Sequence, residues 1–277
     1  MISGKTTLIA HLGYPTEPFK APFIYNPWFD AKGIDAVVMP MGVQAPDYPA
    51  VLRALFRLTN IRGALVTMPH KVTTAALVDE CTTTAAVAGA CNAILRRADG
   101  TLLGDMFDGT GFVRGIQRKG VQVAQSRCLV VGSGGVGSAI AASLAAAGAR
   151  ELALFDAHAG AAESLGARLR HHYPALAVTL GSNDPAGYDL VVNATPLGMK
   201  PGDPLPVDTS RLSAATFVGE VVMTEEKTAF LRAAEARGCR VQVGTDMLFE
   251  MIPAYLEFFG FGTATPEELR SVARIAY

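Results

Sequence analysis

The chain has 277 residues, 50% of them hydrophobic and 18% charged, with a formal net charge of −1 at pH 7. That is enough chain and apolar surface for one large or two ordinary domains. No basic block stands out, which argues against nucleic acid or an anionic membrane surface as partner. No stretch approaches the ~20 apolar residues of a membrane helix.

The four cysteines, Cys81, Cys91, Cys128 and Cys239, follow no CxxC or Cys/His spacing. No disulfide frame and no metal site are therefore expected, and a reducing compartment is. The opening residues carry too short an apolar run for a signal peptide, so the expected location is the cytoplasm.

In chain order, Thr6 to Leu12 and Ala36 to Pro40 read as strands. Pro49 to Leu58 has helical spacing, with Val51, Leu52, Leu55 and Phe56 on one side. Gly63 to Met68 is the next strand and Val72 to Asp79 the next helix. Ala93 to Arg97 and Thr101 to Leu103 flank Asp99-Gly100, a strong hairpin signal. This order predicts an α/β domain with mixed strand directions.

Residues Arg127 to Asp156 carry the strongest signal. A short apolar run, Cys128 to Val131, meets Gly132-Ser133-Gly134-Gly135-Val136-Gly137, then an alanine-rich segment, a second apolar run and Asp156. Strand, glycine turn, helix, strand and acid is the arrangement that holds a dinucleotide. Gly132 permits the tight turn and Gly134 leaves room for the pyrophosphate. Gly137 lets the helix approach the strand, and the helix N-terminus offers free N–H groups. The bland alternative is a strand-turn-helix with glycines used only for packing.

Asp156 stands where a carboxylate accepts hydrogen bonds from ribose hydroxyls and repels a 2′-phosphate, so NAD is expected over NADP. Asp156 could instead simply cap the following helix, and a protonated His158 would favour phosphate.

Beyond Asp156 come a helix ending before Pro174, strands near Leu176 to Leu180, Leu190 to Ala194 and Phe217 to Val222, a helix at Thr228 to Arg237 and a strand at Arg240 to Val243. This alternation predicts a doubly wound parallel sheet. Met247 to Phe259 and Pro266 to Ala276 read as helices, the second capped by Thr265.

Five blocks, Thr67-x-Pro69-x-Lys71, Gly89-Ala90-x-Asn92, Asp108-Gly109, Gly132-x-Gly134-Gly135 and Asn193-Ala194-Thr195-Pro196-Leu197-Gly198-Met199, occur in one order over nearly the whole chain. Each is modest alone. Together they resemble the shikimate/quinate dehydrogenase family. The resemblance implies an α/β protein with an N-terminal mixed-sheet substrate-binding and catalytic domain, residues 1–108 and 245–277. A doubly wound Rossmann domain that binds NAD(P), residues 109–244, would complete it, with the C-terminal helices packing back on the first domain.

The resemblance also implies Lys71 and Asp108 as the acid/base centre. A positioned lysine can take the proton of a secondary alcohol while hydride goes to nicotinamide, and return it in ketone reduction. Thr67 and Asn92 would hydrogen-bond substrate hydroxyls. Cofactor contacts would come from Gly132 through Gly137, Asp156, Asn193, Thr195, Pro196, Gly244 and Met247. Read alone, Asp108 could be an N-cap and Lys71 a solvated lysine.

Departures from the family pattern concern the substrate. Phe19 and Ala21 stand where serines would hold a carboxylate. Leu65 replaces an asparagine, Met223 a tyrosine and Met251 a glutamine, and Asp246 replaces a glycine-like position. Losing a hydrogen bond to a charged group is worth ~1.5–3 kcal/mol. Lys20 is a candidate replacement partner for a carboxylate, unless it is a solvent-facing loop residue.

The expectation is an NAD-favouring dehydrogenase of a cyclic hydroxy acid or less polar polyol, monomeric or homodimeric. The alternatives are a conventional NADP-dependent shikimate 5-dehydrogenase of aromatic amino-acid biosynthesis and a non-catalytic dinucleotide sensor.

Overall fold

The structure, a computed structural model, describes residues 2–274. They form two compact units, one made of the residues up to Phe107 with those from Ile252 onward, the other of Asp108–Met251.

The first unit contains, in order, β1 (Thr7–Gly13), α1 (Pro22–Lys32), β2 (Ala36–Gly42), α2 (Tyr48–Leu55), β3 (Ile61–Val66), α3 (Lys71–Ala75), β4 (Glu80–Cys81), α4 (Thr83–Ala88), β5 (Ala93–Arg96) and β6 (Leu102–Asp105). The sheet order is β2-β1-β3-β5-β6-β4. The first three strands run parallel, and β5 is antiparallel to β3 and β6. The sheet is therefore mixed, as the Asp99-Gly100 hairpin predicts.

Side chains alternate across β1. Ala10 and Leu12 join Tyr48 and Leu52 of α2 and Ile61 and Ala64 of β3 in one core. Each fully buried leucine there contributes ~1.5–3 kcal/mol. Ile9, His11 and Gly13 point to the other face.

Helix α1 does not follow from the sequence pattern above, because Pro27 lies inside it. Proline lacks an N–H and cannot bond the carbonyl four residues back. That carbonyl, on Phe23, accepts the Arg274 N–H at 2.8 Å instead. Buried Ile24, Tyr25, Trp28 and Phe29 then hold the helix by its apolar side.

The second unit contains α5 (Asp108–Arg118), β7 (Arg127–Val131), α6 (Gly135–Ala146), β8 (Glu151–Phe155), α7 (Ala159–His172), β9 (Ala177–Leu180), β10 (Leu190–Asn193), β11 (Phe217–Glu220), α8 (Ala229–Ala236) and β12 (Arg240–Gln242). Its six strands are all parallel, in the order β12-β11-β10-β7-β8-β9. Taken from β7 as first strand, this is the 3-2-1-4-5-6 order of a dinucleotide-binding Rossmann sheet. Leu129, Val131, Val191 and Val218 of the central strands are buried, as strands covered on both faces require.

Helix α9 (Gly244–Phe259) follows, and the division between the units falls within it. The last helix, α10 (Pro266–Val272), packs on α1 in the first unit and opens with a full capping box between Thr265 and Glu268. It is shorter than the expected run to Ala276, since Ala273 is already extended. Ala276 itself lies outside the described residues. Helix α3 also stops early, at Ala75, because Glu80 and Cys81 pair with β6.

Candidate active site

In the second unit, Gly132 follows β7 with φ +103°, a backbone conformation that only glycine adopts without strain. Val131 pairs with Asn193, so Gly132 lies beside Ala194, at the point where the strand order reverses. Ligands of such sheets bind there, beyond the carboxyl ends of the strands. A Cβ on Gly137 would collide with the Gly132 carbonyl, so glycine is what brings α6 against the turn. Gly134 and Gly135 are exposed with nothing near their missing side chains. The N-terminus of α6 thus opens onto space, offering N–H groups that no helical carbonyl takes. Ser133 Oγ is buried and makes no hydrogen bond.

Asp156 directly follows β8. Its Oδ2 accepts the Ser133 N–H at 2.6 Å and its Oδ1 the His158 N–H at 2.8 Å. The carboxylate is therefore part of the glycine turn. Asn193 ends β10 and is turned on its own loop. Its Oδ1 accepts from Thr195 N and Oγ1, and its Nδ2 donates to Leu197 O. The half-buried Thr195 and exposed Pro196 are thereby held beside Gly132.

Gly244 heads α9, buried against the Val222 backbone, and Met247 is buried one turn on. Met251 is half-buried, beside Gly111 of α5. Asp246 forms an ion pair with Lys119 at 2.7 Å, and Met223 is exposed just after β11. Glu220, fully buried in β11, accepts from Thr228 Oγ1 at 2.8 Å, and burial raises its carboxyl above the usual range.

In the first unit, Thr67 follows β3, and its N–H donates to Leu12 O at 2.9 Å. Lys71 is half-buried at the first position of α3, and its carbonyl accepts the Cys91 N–H at 2.9 Å. That bond ties the lysine to the residue preceding Asn92. The Asn92 N–H donates to Asp105 O, its carbonyl accepts from Val66, and its Oδ1 accepts the Phe107 N–H at 2.9 Å. A buried asparagine so committed has a fixed amide plane. Thr67, Lys71 and Asn92 are thus brought together by β3, α3 and β5.

Phe19 is 7% exposed, and its ring tip lies against Gly13. It stacks on His11, with ring centroids 4.0 Å apart. Ala21 is half-buried at the N-cap of α1, and Lys20 is exposed. Asp108 is buried at the head of α5 in the second unit, next in the chain after Phe107. His11 carries no motif in the sequence, only its place in a strand-like run. The signal was a polar residue on an alternating strand, opposite the core face.

Among the described residues, no group of three or more His, Cys, Asp or Glu could hold a metal ion. Among the described residues, no helix is long and apolar enough to cross a membrane.

A 3-2-1-4-5-6 parallel sheet with an open glycine turn and a carboxylate at its second strand marks the class of dinucleotide-binding α/β proteins. Comparison with known proteins narrows the class. The model of the shikimate dehydrogenase substrate binding domain matches residues 12–94, and that of the ThiF family matches 113–164, around the glycine turn. A Rubrobacter xylanophilus protein named shikimate dehydrogenase (NADP(+)) is 36% identical over 254 residues, 89% of this chain and 88% of that one. Shikimate 5-dehydrogenase from Listeria monocytogenes, solved with shikimate and NAD, superposes with a TM-score of 0.91 at 25% identity, covering 98% of this chain and 97% of that one. The 5-ketofructose reductase of Gluconobacter sp. strain CHM43 gives 0.88 at 25% identity, with 98% of each chain covered. The chain belongs to the shikimate dehydrogenase family.

Proposed function

We propose that this family member prefers NAD and interconverts a secondary alcohol and a ketone on a cyclic hydroxy acid or polyol. One observation carries the cofactor preference. Asp156 is fastened to the glycine turn by the Ser133 N–H, so its negative charge stays at the end of β8. A 2′-phosphate brought there meets a carboxylate, whereas free ribose hydroxyls can donate to it. His158, exposed and following closely, brings no permanent positive charge.

The dinucleotide, when bound, supplies or accepts the hydride. The chain's own residues manage the proton and the substrate. Lys71 Nζ takes the proton of the reacting hydroxyl, or returns it during reduction. Asp108 accepts a hydrogen bond from a substrate hydroxyl. Thr67 Oγ1 and the Asn92 amide hold others. Gly132 through Gly137 cradle the pyrophosphate, aided by Thr195 and Pro196, while Gly244 and Met247 contact the cofactor. Phe19 and Ala21 make the substrate side of the first unit less polar, Met223 and Met251 are the candidate substrate contacts of the second, and Lys20 is the cation next to Phe19 in sequence that could meet a carboxylate.

The test is kcat/KM with NAD and NADP for shikimate and quinate, and with NADH and NADPH for 5-ketofructose. Preference for NAD with turnover of at least one compound is expected. A clear NADP preference would overturn the cofactor assignment, and binding without turnover would favour a sensor. A conventional NADP-dependent shikimate dehydrogenase is the second reading, favoured by the name of the 36%-identical relative.

A further inference from the structure

The proton-transfer scheme leaves His11 unused, yet it lies among the residues just described. It points to the face of β1 opposite Ala10 and Leu12 and is registered beside Leu65 of β3. The side chain is 8% exposed, and the Phe19 ring covers one face at 4.0 Å with an interplanar angle of 29°. Nδ1 is enclosed without a hydrogen-bond partner. None of the described residues bonds Nε2 either, and Nε2 is not enclosed. Burial and then the Lys71 charge lower the pKa of His11 to about 4, so the ring is neutral near pH 7 and close to Lys71.

His70 provides an internal contrast. It is 1% exposed, but its ring nitrogen Nε2 lies 2.8 Å from Val43 O and its ring stacks on Tyr48 at 3.9 Å. That histidine has its bond and serves the fold. Native proteins rarely bury a polar group unbonded, because the lost hydration is not replaced. An imidazole at His11 therefore costs stability that a leucine would not. A neutral ring gives no charge to a carboxylate, but it can donate to or accept from a hydroxyl.

We propose that His11 is a further substrate-binding residue, whose Nε2 hydrogen-bonds an uncharged hydroxyl of the substrate on the Lys71 side of β1, with Phe19 fixing the plane of the ring. This deepens the function proposed above and rests on it. The site then reads hydroxyls at a position where a polar ring stacked on an aromatic one replaces a charge clamp. Substrates are distinguished by whether they present a hydroxyl there.

The experiment compares wild type, His11→Leu and His11→Gln, using whichever of shikimate, quinate and 5-ketofructose the wild type turns over best. KM for that substrate should rise about fivefold or more in His11→Leu, the factor expected for one lost hydrogen bond. KM for the dinucleotide should not move, and the melting temperature at pH 7.5 should hold or rise. His11→Gln places an amide near the Nε2 position and should restore most of the affinity. A substrate KM within twofold of wild type in His11→Leu overturns the proposal. Equal losses in both variants with a fall in melting temperature also overturn it, since packing alone would do that. If wild type turns over none of the three compounds, the functional reading fails and this proposal fails with it, before any variant is made.

Discussion

Replacing His11 by leucine should remove a specific acid sensitivity from the first unit. In the folded protein His11 has its pKa lowered to about 4, first by burial and then by Lys71, from a reference value of 6.5. The unfolded chain therefore binds a proton in the window between these values while the folded chain does not. Stability rises with pH wherever the unfolded state holds more protons. The contribution is thus complete above pH 6.5 and is lost as pH falls toward 4. At pH 5 the loss relative to pH 7.5 amounts to about 2 kcal/mol for a shift of this size. The shifts of His70, Asp105 and Glu220 are common to both proteins and cancel in the difference. Trp28 is the one tryptophan of the chain and lies buried in α1, so its fluorescence follows the first unit. Urea titrations of wild type and His11→Leu at pH 7.5 and pH 5 should diverge by about 1 M in midpoint on acidification, wild type falling further. Parallel midpoints at both pH values would refute a buried neutral imidazole at this position.

Other consequences are open to direct measurement. Lys71→Ala should lower turnover by ~10²-fold or more while a fluorescence titration finds dinucleotide affinity unchanged. Asp156→Ser combined with His158→Arg should shift the NAD/NADP ratio of kcat/KM toward NADP by ~10²-fold, since each tenfold needs only ~1.4 kcal/mol. An unchanged ratio would remove Asp156 from cofactor choice. Gly137→Ala would push a methyl group into the Gly132 carbonyl, so dinucleotide binding should fail and stability drop by ~1–3 kcal/mol in thermal melts. Thr265→Ala removes half of the capping box of α10 and should cost ~1 kcal/mol.

The second unit was more legible than the first for physical reasons. A parallel strand covered on both faces needs an unbroken apolar run, and a glycine turn needs its residues at fixed spacing, so Cys128 to Asp156 announces itself locally. In the first unit, α1 was hidden by Pro27, whose penalty is offset by a bond from Arg274, about 250 residues away in the chain. No local pattern carries that. Helix α3 is shorter than its pattern because the pairing of Glu80 and Cys81 with β6, which ends it, is non-local. Among candidate site residues, Thr67, Lys71 and Asn92 stand out through their motif context. Asn92 proved to be anchored through Oδ1 to Phe107, and the stacking of His11 on Phe19 joins residues eight apart through a turn, which alternation alone does not reveal.

The discontinuity of the first unit sets an order of events during synthesis. Its final pieces emerge from the ribosome after the whole of Asp108–Met251. Until then Phe29 lacks Phe261, Phe107 lacks Tyr255, Arg62 lacks the Phe259 carbonyl and Lys32 lacks Glu268. The nascent nucleotide-binding unit can close while its predecessor still waits with aromatic surface uncovered. The first unit is therefore completed only after the second, although most of its residues are made first.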